Sequence, residues 1–278
     1  MRRTRGERDV SRLRLTLVVC ASVPFVFPFL FMISTATRPK QDYLKNPTAF
    51  PTALTKSHLD YAWNTAGLGR GLVNSLIVAV VSASVLALIS LLGAFWFIRH
   101  AGRIANAIFV VLVSMWIVPW VVWVLPMFVG LSDLGLSNNL IVLGIVLAGI
   151  NAPFGLYFVT AYLRGGTPPE LFDAARADGA TTLQQFRMVV LPLSRPALGT
   201  VAALGFVWAW GDLFVSLILL QDPNKYTQTV AAAGLASMYN ANVQETAAAA
   251  LLSMLPLLLV FGLAQRSIVR GFTAGVSK

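Results

Sequence analysis

Five long intervals of this chain contain no Asp, Glu, Lys or Arg, and a sixth contains a single Asp. They are Leu15–Thr37, Gly71–Ile98, Ile104–Ser132, Leu134–Leu163, Ala197–Leu220 (interrupted by Asp212) and Thr246–Gln265. A helix needs about 20 apolar residues to cross the hydrocarbon core of a bilayer, so each interval is long enough to span. The pattern therefore predicts an all-α integral membrane protein with six transmembrane helices. The first interval follows a basic head, MRRTRGERDVSRLR. It is too long for a signal-peptide core and lacks a small-x-small cleavage site, so it reads as a retained span. Pro24 and Pro28 are expected to bend it, which membrane helices tolerate when neighbours satisfy the freed carbonyls.

Charge decides which other classes survive. The net charge of +10 would suit a nucleic-acid binder, but only 12% of residues are charged and 57% are hydrophobic, with the basic residues confined to the segments between apolar runs. One cysteine, Cys20, excludes an internal disulfide and is read as a small packing residue. The two histidines, His58 and His100, lie far apart and do not make a metal pair; His58 is expected in a solvated connection. No lysine follows a glycine, so there is no GxxxxGK[ST] loop, and neither HExxH nor GxSxG occurs. The chain is expected to be neither an enzyme nor an ATP binder, with no catalytic and no metal residues. A single intramembrane carboxylate, Asp212, also argues against a proton-coupled transporter, which needs ionisable groups inside the bundle.

The longest polar interval after the fourth run is Gly165–Pro196, GGTPPELFDAARADGATTLQQFRMVVLPLSRP. Thr167, Pro168 and Glu170 have the spacing of a capping box with proline at the first helical position. Leu171, Ala174 and Ala175 follow at helical spacing, and Gly179 after Asp178 suits the left-handed residue that ends a helix. Thr181 and Gln184 form a second capping box, Leu183, Phe186, Val189 and Val190 a second short apolar face, and Pro192 is expected to limit that helix. Two short helices joined by a tight turn are predicted, either a docking element or an ordinary loop. Shorter helices are expected near Leu59–Thr65 and Val230–Tyr239. With the N-terminus inside, 15 of the 21 lysines and arginines fall on the inner side. The positive-inside bias then puts both termini and the Gly165–Pro196 hairpin in the cytoplasm.

Two stripes could carry a ligand. Trp116, Trp120 and Trp123 fall at i, i+4 and i+7 of the third run, beside Pro119 and Pro126. Gly205, Trp208, Asp212 and Ser216 share a helical face of the fifth. Indole faces and a carboxylate suit a polyhydroxylated ligand, whose C–H faces stack and whose hydroxyls donate. The same residues could form interfacial belts or interhelical packing, and Asp212 could pair with a polar group on another subunit. Asn151 with Pro153 marks a kink in the fourth run or backbone exposed to a cavity.

Asp173-Ala174-Ala175, then three residues, Gly179, then nine residues, and Val189-Val190-Leu191-Pro192 resemble the cytoplasmic EAA pattern of ATP-binding-cassette import permeases, with Asp178-Gly179-Ala180 in its extended form. Asp173 stands for the usual Glu and Val189 for Ile. Leu59–Ala79 with Asn74-Ser75, Trp210-Gly211-Asp212 (Gly211 in place of Asn) and the tail from Gln265-Arg266 to Gly275 resemble the carbohydrate-importer branch, closest to the second permease subunit of maltose-type systems. The resemblance covers nearly the whole chain. It implies the type I importer permease fold: a cytoplasmic basic head at 1–14 and a single permease domain at 15–278, with its core at 71–266, a coupling hairpin at 165–196 and a tail at 266–278. It implies a location in the bacterial cytoplasmic membrane. The partners would be a second permease, two cytoplasmic ATPases that bind ATP and Mg, and an extracytoplasmic solute-binding protein, with no cofactor in this chain. Coupling would fall to Glu170, Asp173, Ala174, Ala175, Asp178, Gly179, Ala180, Phe186 and Pro192. The substrate pathway would use Trp116, Trp120, Trp123, Asn151, Trp208, Asp212 and Ser216. The cargo would be a sugar or oligosaccharide, with a glycerophosphodiester or polyol as the alternative. A scaffold or sensor without transport is a further reading.

Overall fold

The computed structural model describes residues 5–49, 51–100, 102–166, 171, 174–175, 177–236 and 242–274. The elements, in order, are α1 (Arg5–Thr37), α2 (Lys40–Lys45), α3 (Ser57–Asp60, extended by a π-helical turn Tyr61–Thr65), α4 (Leu68–Arg99) and α5 (Arg103–Ser114, extended by a 3-10 turn Met115–Ile117). There follow α6 (Val121–Asp133), α7 (Leu140–Gly166), α8 (Thr182–Gln185, extended by a π-helical turn Phe186–Val190) and α9 (Leu191–Gly211). The last are α10 (Phe214–Leu219), α11 (Gln228–Leu235) and α12 (Val243–Ala274). Among the described residues five helices are long and apolar enough to cross a bilayer: Thr16–Thr37, Leu68–Arg99, Leu140–Gly166, Thr182–Gly211 and Val243–Gly262. A bent pair, Arg103–Ile117 with Val121–Asp133, makes a sixth candidate when its two halves are taken as one broken span.

The third apolar run is therefore not one straight helix. Its halves meet at 98°. Pro119 supplies no N–H and restricts its predecessor, so Val118 takes an extended conformation (φ −72°, ψ 124°) and the helix stops. The fifth run is also interrupted, at Asp212 (φ −68°, ψ 128°), between α9 and α10. Pro192, expected to end a helix, does not. It sits in the first turn of α9, directly after the π-helical turn Phe186–Val190, whose wider winding takes up the missing N–H and keeps the rod continuous from Thr182 to Gly211. By contrast α7 runs unbroken through Pro153.

The chain divides into two compact units, residues 1–68 with 232–254, and residues 69–231 with 255–278. In the first, the connection after α1 folds around a buried arginine. Arg38, 1% exposed, donates from Nη1 to the carbonyls of Asn46 (3.0 Å) and Pro47 (3.2 Å). Its Nε lies 3.5 Å from Asp42 Oδ2, which in turn accepts from the backbone N–H of Thr52 at 3.1 Å.

In the second unit α4, α7 and α9 pack closely. Lipid is as apolar as a leucine side chain, so membrane helices associate through tight van der Waals fit and small residues rather than through water exclusion. Gly144 of α7 shows this: a Cβ there would come within 2.8 Å of Val81 Cβ and 2.9 Å of the Val78 carbonyl on α4. On α9, Gly205 would meet Leu86 Cδ2 at 2.8 Å. Around these contacts one cluster gathers Val78, Leu143, Leu147, Phe206 and Trp210, and another Leu86, Val159, Leu163, Val190 and Val201.

Candidate functional site

Two places in the second unit hold the sequence candidates. The first is the turn before α8. Gly179 has φ +76°, the left-handed conformation that L side chains resist, and the helix before it closes with Asp178 N to Ala174 O (3.0 Å) and Ala180 N to Ala175 O (2.9 Å). Thr181 then opens α8 with the expected reciprocal cap: Gln184 N donates to Thr181 Oγ1 (3.3 Å) and Thr181 N to Gln184 Oε1 (2.7 Å). Gln185, 3% exposed, locks this turn to the end of α4. Its Nε2 donates to Ala180 O at 2.9 Å and its Oε1 accepts from Arg99 Nη1 at 3.0 Å. Phe186 packs its ring 5.2 Å from that of Phe95, over which the Arg99 guanidinium also sits.

The outer surface of this turn is open. Ala174, Asp178 and Gly179 are exposed, Ala175 and Ala180 half-buried, and Pro192 exposed. Leu171, Leu183 and Met188 present apolar side chains outward. Glu170 and Asp173, together with the first capping box, lie outside the described residues. Sequence reasoning did not find Arg99 or Gln185. An arginine in a basic turn and a glutamine inside a capped helix carry no local signal that they will meet.

The second place is a cavity of ≈ 370 Å³ between the α5–α6 bend and α7. Trp116, Trp120, Trp123 and Asn151 all line it. The three tryptophans do not share one helix face, as their spacing suggested. The bend at Pro119 folds two helices around the same space instead. Asn151 donates from Nδ2 to Leu147 O at 2.9 Å, one turn earlier on α7. Phe154, which the sequence did not single out, joins Trp116 to Trp208, with ring centroids 5.2 Å and 5.1 Å away. Phe214 lies 6.3 Å from Trp120.

Asp212 and Ser216 do not line this cavity. Asp212 Oδ2 accepts from both the backbone N–H and the hydroxyl of Ser216, each at 2.8 Å, so the carboxylate caps α10 where the fifth run restarts. The carbonyls at the same break are taken up by the first two residues of α11. Gln228 Nε2 donates to Trp210 O at 2.9 Å, and Thr229 Oγ1 to Asp212 O at 2.5 Å. No group of three or more His, Cys, Asp or Glu that could hold a metal exists among the described residues.

Residues 87–274 match the model of the family described as binding-protein-dependent transport system inner membrane component. The chain is similar to the melibiose/raffinose/stachyose import permease protein MelC of Bacillus subtilis, with 30% identity over 99% of this chain and 98% of that protein. It is also similar to the diacetylchitobiose uptake system permease protein DasC of Streptomyces coelicolor, with 31% identity over 92% and 93% of the two chains. Its fold matches a chain of a bacterial ABC transporter involved in import of the acidic polysaccharide alginate, with a TM-score of 0.74, 20% identity, and coverage of 96% of this chain and 99% of that one. With a family match running from α4 to α12 and full-length relatives, this multi-pass membrane chain belongs to the family of binding-protein-dependent transport system inner membrane components.

Proposed function

We propose that this chain is one of two permease subunits of an ATP-driven importer for a sugar or oligosaccharide, resident in a bacterial cytoplasmic membrane with both termini inside. It forms half of the translocation pathway. The carrying observation is the turn at Gly179, exposed on its outer side yet fixed to α4 by Arg99 and Gln185. An element that is rigid behind and open in front transmits a push. A partner ATPase, two copies of which bind ATP and Mg, docks on the turn and closes on nucleotide binding. The turn carries that movement through α4 and α9 to the pathway. For closure to shift the permease between inward- and outward-open states, the ATPase must contact the turn differently in the two states. An extracytoplasmic solute-binding protein delivers the cargo. The sugar assignment follows the cargo named for the two full-length relatives.

The test uses the assembled importer in vesicles, with its binding protein outside and ATP inside. Uptake of melibiose, raffinose or diacetylchitobiose that depends on ATP supports the reading. Uptake of a glycerophosphodiester or a polyol in their place would replace the substrate class, and co-purification without any ATPase would favour a scaffold. The Gly179→Asp variant, and the pair Ala174→Trp with Ala175→Trp, are expected to insert normally while separating ATP hydrolysis from uptake. Wild-type uptake in both would sink the docking role.

A further inference from the structure

The cavity beside the α5–α6 bend combines irregular backbone, aromatic walls and an absence of charge at one depth. Val118 and Pro119 line it where the helix is broken. On the facing wall Pro153 has no N–H for the carbonyl of Gly149, four residues earlier, and Gly149 lines the cavity too. Asn151 spends its amide N–H on Leu147 and keeps Oδ1 as an acceptor. On α7, Asn151 lies about 16 Å from the Leu140 end and about 22 Å from the Gly166 end, near the middle of a helix long enough to span a bilayer. Irregular backbone at that depth persists only where it is buried in protein or borders a water-filled space. A Cβ added at Gly149 would meet nothing within 4 Å, so this wall faces open space.

The remaining walls define the ligand. Trp116, Trp120 and Trp123 offer flat apolar faces and indole N–H donors, and no lining residue is charged. The volume of ≈ 370 Å³ is at the small end of the roughly 300–1,000 Å³ typical of ligand sites. We propose that this cavity is a subsite of the translocation pathway for one uncharged sugar ring, stacked by its C–H face on indole with hydroxyls donating to the Gly149 carbonyl and Asn151 Oδ1. A carboxylate or phosphate here would be desolvated without a counter-charge, which a site of this composition cannot offset. The subsite thus selects neutral glycosides and rejects uronates and phosphodiesters. This rests on the sugar-import reading and narrows it.

The test is cysteine accessibility in the assembled importer in vesicles, with exposed Cys20 replaced by serine and Gly149→Cys introduced into the open wall. A hydrophilic methanethiosulfonate reagent is expected to label the new thiol. Melibiose, raffinose or diacetylchitobiose, supplied with the binding protein at about ten times the dissociation constant, should slow labelling about tenfold by occupancy. Alginate pentasaccharide should not. No labelling would mean that lipid or the partner permease covers the cavity, and would overturn the proposal. Labelling that no neutral sugar slows, or that the acidic pentasaccharide slows as much, would overturn it as well. Uptake by the unmodified complex is measured separately, so loss of the subsite and loss of the sugar-import reading are told apart. Gly149→Leu fills the cavity, and is expected to lower uptake about tenfold with the amount of importer in the membrane unchanged.

Discussion

Arg99 Nη1 and Gln185 Oε1 meet at 3.0 Å, joining the last residue of α4 to the last residue of α8 across 86 positions of sequence. Gln185 is almost wholly buried and is bonded on both sides of its amide, to Arg99 and to Ala180. Replacing it by leucine removes both bonds and leaves a guanidinium N–H facing an apolar chain. The cost expected for such a loss is about 1–3 kcal/mol. Gln185→Leu should therefore raise amide hydrogen exchange across 177–185 while α7 stays protected, and lower uptake more than ATP hydrolysis. Unchanged exchange in that segment would show that the bond does not hold the turn.

Gly179 separates backbone demand from docking. At φ +76° a side chain costs roughly 1–2 kcal/mol, least for asparagine. Gly179→Asn should keep the Asp178 and Ala180 bonds and most of the uptake, whereas Gly179→Val should lose both. Equal defects in uptake, with normal melting of both variants, would place the requirement in the docking surface and not in the turn.

Asp212 is expected to behave as a helix cap. Asp212→Asn keeps an acceptor for Ser216 and should cost little, while Asp212→Leu should destabilise by about 1 kcal/mol, the usual loss for a cap. Thermal melting of the detergent-solubilised chain gives the comparison. A melting temperature equal to wild type for Asp212→Leu would remove the capping role.

Asp42 makes stability depend on pH. The Thr52 N–H and the Arg38 and Lys45 charges outweigh partial desolvation and hold its carboxyl below the ordinary 3.8. A depressed folded value stabilises the fold above 3.8 and is lost as pH falls through the lower folded value. Asp42→Asn should therefore melt below wild type at neutral pH, and the difference should shrink on acidification past 3.8. A difference that grows on acidification would contradict the sign.

The spans were legible because absence of charge over about 20 residues has one physical solution in a bilayer. The second capping box and the left-handed Gly179 were legible because each is specified within four residues. What escaped was long-range. Spacing alone placed Trp116, Trp120 and Trp123 on one straight helix, yet Pro119 bends the run by 98° and still delivers all three to one cavity. Proline usually ends a helix, and the local sequence around Pro192 carries no sign that the π-helical turn of Phe186–Val190 lets the rod pass through it. Phe154 and Phe214 had no periodic partner in their own segments, since their partners lie on other helices.

The break at Asp212 also sets an order of events during synthesis. The carbonyls of Trp210 and Asp212 are satisfied by Gln228 and Thr229, which follow 18 and 17 residues later. A ribosome that has just delivered the fifth run to the insertion machinery has not yet supplied these donors. Until they arrive, the Asp212 carbonyl lacks its Thr229 donor at a place that hydrocarbon penalises. The nascent fifth run is thus poorly suited to early release into lipid, and its lateral exit is best timed with the start of α11, which completes it.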